Sequence, residues 1–185
     1  MATAQESESP EAILIVDGYN AIASWPSLQK LFRGSTLDLA RHKLVETLSS
    51  YVAFRNYAAT VVFDAHAHSA PAVRELSPSG IEIHYTAFGE TADTAIERRC
   101  AQLRWDTCRV RVATSDRAIQ LVVGGYDAEW LSVQTLQDEV KHAAKQLKQT
   151  MQKRRSKPKR GIDGFLDAET RDRLVQWRLN GSDTV

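Results

Sequence analysis

The sequence predicts an α/β protein: a mainly parallel β-sheet with helices packed on both faces. Two observations predict it. Short, apolar, largely β-branched runs of strand length recur along the chain, and runs of that kind belong to strands buried on both faces. Stretches with apolar residues at helical spacing lie between them, and strands that alternate with helices imply parallel crossovers. The chain has 185 residues, 43% hydrophobic and 25% charged, which suits one water-soluble domain with room for an appendage.

Met1–Pro10 is polar and acidic and reads as a disordered tail. Ile13-Leu14-Ile15-Val16 is the first strand. From about Thr36 to Tyr57, Leu37, Ala40, Leu44, Leu48, Tyr51 and Val52 recur at helical spacing and mark an amphipathic helix. Thr60-Val61-Val62-Phe63 is the second strand. Ile81-Glu82-Ile83-His84-Tyr85 alternates, as a third strand nearer an edge would. Thr91 can cap a helix from Ala92 to Leu103 whose core stripe is Ile96, Cys100 and Leu103. Arg109 to Ala113 is a fourth strand, followed by a helix from about Asp116 to Val123 that Gly124-Gly125 ends. Glu129-Trp130-Leu131-Ser132 is a weak fifth strand, and a helix through Leu136, Val140 and Leu147 leads into a basic arm. Residues 163–180 form a short terminal unit, with Asp167 as its N-cap and Leu174, Val175, Trp177 and Leu179 as its apolar patch. The expected organisation is a tail over 1–10, one domain over 11–150, and a basic arm with a short terminal helix over 151–185.

The net charge of +1 conceals an asymmetry. Nine Lys/Arg residues and no acid lie between Lys141 and Arg160, so without them the chain carries −8. An acidic body joined to a basic arm points to a polyanionic partner. Lys141, Lys145 and Lys148 share one helical face and suit a solvated surface. The run Lys153, Arg154, Arg155, Lys157, Lys159 and Arg160 is too dense for that and is broken by Pro158, which favours contact with a nucleic-acid backbone. Cys100 and Cys108 lack the spacing of a zinc site or a disulfide framework. No secretory signal or membrane-spanning run is expected, and the cytoplasm is the expected location.

Three strands end alike. The first runs into Asp17, the second into Asp64, and the fourth through Thr114-Ser115 into Asp116. In a parallel sheet these carboxylates arrive together at the carboxyl edge, outside which ligand sites of open α/β sheets lie. Asp93, in the first turn of the helix after the third strand, reaches the same rim, and Glu97 shares its face one turn on. Any one of these aspartates can simply cap the next helix, and Asp116 before Arg117-Ala118-Ile119 fits that role well. Capping does not require several acids to converge, and crowded carboxylates repel one another unless a cation compensates. An oxygen-only donor set favours Mg²⁺ or Mn²⁺ over zinc. Such an ion stabilises charge developing on phosphate, which points to a phosphodiester substrate.

Asn20 can orient the acids or contact the phosphate, or merely close its loop. Ser115 can bind a phosphate oxygen or hold Asp116, and Arg117 is a candidate phosphate clamp, although a solvated arginine is the commoner case. His66 and His68 form a His-x-His pair, a pattern more often unliganded in a polar loop. His42 and His84 read as structural. Trp25, beside Pro26, is expected to pack half-buried rather than stack on a base, and Trp177 to pack its own helix.

Val16-Asp17-Gly18-Tyr19-Asn20, Val62-Phe63-Asp64-Ala65, Glu90-Thr91-Ala92-Asp93 with Ile96-Glu97, and Thr114-Ser115-Asp116-Arg117 occur in that order. Together they resemble the YacP-like branch of the NYN domains, in the PIN-like nuclease superfamily, over roughly Ile13 to Lys148. The resemblance implies a PIN-like three-layer α/β/α sandwich and Mg²⁺- or Mn²⁺-dependent endoribonuclease activity. It implies an acidic centre of Asp17, Asp64, Asp93 and Asp116 supported by Asn20 and Ser115, with RNA as substrate, including mRNA in a ribosome-associated context. One departure is Thr94, where the family often carries a further acid, and Glu97 can supply that charge.

Two other readings compete. An RNA-binding or ribosome-docking module without catalysis would share the basic arm, but retention of all four acids speaks against it. A phosphatase of the haloacid-dehalogenase type also begins with a strand ending in Asp; it places a second acid two residues later, where this chain has Tyr19.

Overall fold

A computed structural model describes residues 9–34, 36–64 and 71–156, together with Arg173 and Gln176. The order is β1 (Ala12–Asp17), α1 (Gly18–Ser24), α2 (Pro26–Gly34), α3 (Leu37–Arg55), β2 (Tyr57–Phe63), β3 (Val73–Leu76), β4 (Glu82–Tyr85), α4 (Ala92–Leu103), β5 (Arg109–Ala113), α5 (Arg117–Gly124), β6 (Glu129–Leu131) and α6 (Val133–Ser156). The six strands form one sheet in the order β3-β4-β2-β1-β5-β6. Every neighbouring pair is parallel except β3 with β4. The expected α/β class with a mainly parallel sheet is what the chain adopts.

β1 lies between β2 and β5, and all six of its residues are buried. Successive strand side chains point to opposite faces. Ile13 and Ile15 therefore join one core with Ile96, Cys100, Val112 and Ile119, whereas Leu14 and Val16 join the other with Ile22, Leu44, Leu48 and Leu136. This explains the unbroken apolar run: each residue has a helical layer to pack against, and each large aliphatic side chain so buried contributes about 1.5–3 kcal/mol. α3 starts with Thr36 accepting from the Leu39 amide, and it ends at Asn56, which takes the left-handed conformation (φ 52°) that asparagine tolerates.

Several elements differ from expectation. The segment after Asn20, read as a loop, is two short helices, with Pro26 beginning the second. Trp25 between them is buried rather than half-buried, and its Nε1 donates to the Val133 carbonyl at 2.8 Å. β3 was not expected; it is an edge strand exposed at every residue, and its pairing with β4 holds it. α6 continues through Ser156, so the backbone at Arg154 and Arg155 is helical. His84 is buried, His42 is exposed on α3, and both cysteines are free thiols. Burial pushes the Cys100 thiol up to about 11.

Arg111 on β5 carries a buried charge. Its Nη1 and Nη2 donate to the two carboxylate oxygens of Glu139 on α6, each at 3.0 Å. Nη1 also donates to the Tyr51 hydroxyl at 3.2 Å, and that hydroxyl in turn donates to Glu139. The Arg111 hydrogen bonds hold the Glu139 carboxyl below the usual range. Burial and the bond to Glu139 push the Tyr51 phenol up.

The chain divides into two compact units, Met1–Leu147 and Lys148–Val185. In the second, Lys148–Ser156 is helical. Lys157, Lys159 and Arg160 of the basic arm lie outside the described residues, as do His66, His68, Asp167, Leu174, Val175, Trp177 and Leu179. No helix among the described residues is long and apolar enough to cross a membrane.

Candidate active site

The carboxyl ends of β1, β2 and β5 are adjacent in the sheet, and each delivers an acid. Asp17 is the last residue of β1, Asp64 follows β2 directly, and Asp116 follows β5 after Thr114-Ser115. Asp93 sits in the first turn of α4, whose N-cap is Thr91, as expected. Asp17, Tyr19, Asn20, Asp64, Thr91, Ala92, Asp93 and Asp116 line one cleft of about 220 Å³. All four expected acids therefore line the same cleft.

Their mutual field shows at Asp93. Burial, and after it the charges of Asp116, Asp17 and Asp64, hold its carboxyl above the usual aspartate range. Both causes disfavour the ionised form.

Two of the acids are also helix caps, so capping and convergence coexist. Asp17 Oδ1 accepts from the Asn20 amide at 3.0 Å at the start of α1, and Asp116 Oδ1 accepts from the Ala118 amide at 2.7 Å at the start of α5. Asp17 is buried, and its other oxygen is also held: Asn20 Nδ2 donates to Oδ2, and Thr114 Oγ1 donates to it at 3.3 Å. Thr114 Oγ1 in turn accepts from the Asp116 amide at 3.1 Å. One fully buried hydroxyl thus ties the acid of β1 to the backbone that carries the acid of β5.

The residue that holds the Asp116 backbone is Thr114; for Ser115, holding Asp116 is one of the roles the sequence leaves open. Ser115 and Arg117 are exposed and do not line the cleft. Ser115 follows the buried end of β5, and its side chain turns to solvent, while Thr114 remains inside. The signal was present in the Thr-Ser-Asp triplet, where Thr114 keeps strand phase with buried Val112 and Ser115 does not. Glu97 is outside the cleft as well; its Oε1 accepts from the Tyr126 hydroxyl at 3.2 Å. Asn20 is in the cleft, as expected, and hydrogen-bonded to Asp17.

The sequence alone assigns no role to Tyr19 or Arg41. Tyr19 lines the cleft, and its ring packs on buried Phe63, centroids 5.3 Å apart at 60°. Arg41 on α3 donates through Nη2 to the Tyr19 hydroxyl and through Nη1 to Asp38 at 2.7 Å. Its guanidinium lies 5.4 Å from the ring centre of Tyr19 and 5.5 Å from those of Phe63 and Tyr85. No local pattern links Arg41 to Tyr19, because the fold alone brings α3 against the β1–α1 turn.

The profile of the YacP-like NYN domain matches residues 14–179. The chain belongs to the YacP-like NYN family. NYN domains are PIN-like nucleases, and this membership carries a nucleic-acid substrate class with it. The YacP-like chain is 30% identical over 171 residues to the protein YacP of Bacillus subtilis strain 168, covering 92% of this chain and 99% of that one. It is similar to the crystal structure of Rae1 (YacP) from Bacillus subtilis, with a TM-score of 0.67 and 28% identity over 94% of this chain and 99% of the other. A tryptophan-to-leucine mutant of Rae1 superposes with the same TM-score, at 31% identity over 82% and 88% of the two chains.

Enzymes of this YacP-like NYN class typically use a divalent metal. Among the described residues, no three His, Cys, Asp or Glu side chains stand close enough to enclose an ion as they are placed. The donor chemistry of the cleft nevertheless fits one. Among the described residues that line it, the charged groups are all carboxylates, and burial together with the other three acids raises the Asp93 carboxyl, a cost that a hard cation would relieve.

Proposed function

We propose that this YacP-like protein is a metal-dependent endoribonuclease that hydrolyses RNA phosphodiester bonds in the cleft at the carboxyl edge of the sheet. The observation that carries this reading is that Asp17, Asp64, Asp93 and Asp116 line one cleft, where burial and then the charges of the other three raise the Asp93 carboxyl. These four would hold Mg²⁺ or Mn²⁺. Bound there, the ion supplies Lewis-acid stabilisation of the phosphate and eases deprotonation of water.

The protein's own groups do the rest. Asn20 and Thr114 fix both oxygens of Asp17, so that carboxylate does not reorganise during the reaction. Thr114 also fixes the Asp116 backbone. Asp93 lines the cleft with the other three acids, so an ion held by them would bring the attacking water into the cluster. Hydrolysis adds that water to phosphorus and breaks one P–O bond to the neighbouring nucleotide. Lys153, Arg154, Arg155, Lys157, Lys159 and Arg160 would contact RNA phosphates, which adds affinity without base selectivity. The family resemblance supports mRNA, in a ribosome-associated context, as the RNA cleaved, and a cytoplasmic location accords with it.

The test is Asp17→Asn combined with Asp116→Asn. Cleavage of RNA by the purified double variant should fall at least about 10²-fold, the usual scale for removing electrostatic groups at a reacting centre, while RNA binding persists. Cleavage equal to wild type would remove the activity from this cleft. Binding without cleavage in the wild type, in Mg²⁺ and in Mn²⁺, would favour the non-catalytic RNA-binding module instead.

A further inference from the structure

Four carboxylates repel a polyanion, so the grip on RNA must come from groups outside the cleft. Where β2, β3 and β4 face α4 there is a small hollow whose polar walls include Arg74, Glu82, His84, Arg98, Arg99 and Gln102. Most of its charges are already matched. Arg74 pairs with Glu82 at 3.3 Å, and Arg98 pairs with Glu90, on the loop before α4, at 2.6 Å. The Thr60 hydroxyl also donates to Glu82, at 3.2 Å. Two groups are left over. His84 is only 5% exposed, and Arg99 is half-buried with its Nε closed off from water. Neither makes a hydrogen bond or ion pair to another described residue. Buried donors ordinarily have partners, so two idle donors lining one basic hollow call for an acceptor.

The size of the hollow narrows what that acceptor is. It holds about 10 Å³, room for one water-sized group. One oxygen of a phosphate held from outside fits; a base or a sugar does not. Guanidinium and phosphate are matched in charge and shape. Asp93 and Arg99 share α4 and are separated by about 9 Å of helix rise, so a strand lying on the acids reaches the hollow within a few nucleotides.

We propose that Arg99 and His84 form a phosphate-oxygen subsite for the RNA strand on the α4 flank of the sheet, outside the acidic cleft. This rests on the nuclease reading for its substrate, though not for its measurement. The contact is to the backbone and so is indifferent to base identity.

The experiment is nuclear magnetic resonance of the histidine rings, assigned through the backbone, with a short single-stranded RNA in chelator. RNA should shift the His84 signals and move their titration upward. Burial, and then Arg74 with Arg98, hold that imidazole below its usual range against Glu90 and Glu82, and a bound phosphate favours its charged form. Inorganic phosphate at equal phosphate concentration should leave the signals in place, because nothing tethers it there. Arg99→Gln should abolish the shift caused by RNA. By fluorescence anisotropy it should weaken RNA binding roughly 5- to 10-fold, between an exposed ion pair and a buried charged hydrogen bond. The slope of log K against log salt should flatten by about 0.7, the value for one phosphate of a single strand. A strand with a neutral methylphosphonate at the contacted linkage should lose as much with wild type and nothing further with Arg99→Gln. In cleavage, Arg99→Gln should raise KM at unchanged kcat. Arg109→Gln removes the same charge at the amino end of β5, opposite the acids, and should leave RNA binding as it is.

His84 signals that ignore RNA would overturn the proposal. Signals that follow inorganic phosphate and not RNA would also overturn it, and would assign the hollow to a free anion. An Arg99→Gln loss no larger than that of Arg109→Gln would reduce the effect to net charge and overturn it as well. The wild-type spectra decide even if Arg99→Gln fails to fold. A chain that shows the His84 and Arg99 responses without metal-dependent cleavage would overturn the nuclease reading alone.

Discussion

Gly18, between Asp17 and Tyr19, has no space for a side chain. A Cβ built there falls within 3 Å of three carbons of the Phe63 ring. Phe63 cannot yield: it is fully buried, with Tyr19 at 5.3 Å, Tyr85 at 5.7 Å and Arg41 at 5.5 Å around it. Gly18→Ala therefore overpacks the junction where β1 and β2 each release a carboxylate. Overpacking a tight core typically costs about 1–3 kcal/mol, and the rigid surroundings place this case at about 2–3. For a body of this size each kcal/mol lowers Tm by roughly 2–4 °C, so Tm should fall roughly 4–12 °C. The displaced ring precedes Asp64, and the displaced backbone follows Asp17. A shift near 1 Å between reacting groups costs on the order of 10²-fold in rate, so RNA cleavage should fall by about that factor. Circular-dichroism melting and cleavage of a labelled RNA read the two effects. Phe63→Leu makes room for the methyl group. The double variant should therefore be more stable than the sum of the two single changes predicts, by at least about 1 kcal/mol. A Gly18→Ala protein that melts with the wild type, or a strictly additive pair, would refute the reasoning.

The remaining predictions concern the acids and their supports. Asp93→Asn should raise the Tm of the ion-free protein. Because the folded-state carboxyl sits above its usual value, ionising it opposes folding; the gain should be absent below the ordinary aspartate range and complete once pH exceeds the raised value. Mg²⁺ should raise the Tm of the wild type, and a melting curve indifferent to both changes would mean that the acids do not crowd one another. Thr114→Val leaves the Asp116 amide without its hydroxyl partner and Asp17 Oδ2 with one donor fewer, for a cost of about 1–3 kcal/mol and reduced cleavage at unchanged RNA affinity, read by melting and by kcat. Glu139→Gln breaks the doubly bonded pair with buried Arg111, which should cost about 2–3 kcal/mol at neutral pH because Glu139 is itself partly exposed. The Glu139 carboxyl is depressed in the folded state, so this contribution is present above the ordinary glutamate value and is lost as pH falls through the depressed one. Denaturant titrations of the two proteins should converge in acid.

What could be read in advance was whatever burial writes into composition. β1 shows its double-sided packing as an unbroken apolar run, and α4 shows its single buried face as Ile96, Cys100 and Leu103. Parallel pairing then dictates that Asp17, Asp64 and Asp116 share an edge. Elements that exist through partners left no such trace. β3 buries nothing and depends on β4, while α1 and α2 are too short for apolar periodicity to outweigh the turn signal of Trp25-Pro26. The clasp by Thr114 and the approach of Arg41 to Tyr19 join residues 97 and 22 positions apart, counted from Thr114 to Asp17 and from Arg41 to Tyr19. Such contacts become visible only once the chain is folded.

The strand order has a consequence for how this protein would fail. The strands that carry Asp17, Asp64 and Asp116 occupy the middle of the sheet, and β3 and β6 form its edges. Edges and loops open locally at small free energies, whereas central strands open only with the whole body. The spacing of the three strand-borne acids is therefore as durable as the fold, and Asp93, mounted on a helix, is the one with latitude to adjust. Lesions at β3 or β6 would deplete the population of folded molecules while each survivor kept its turnover. In hydrogen exchange, the amides of β1 should be among the last to trade their protons.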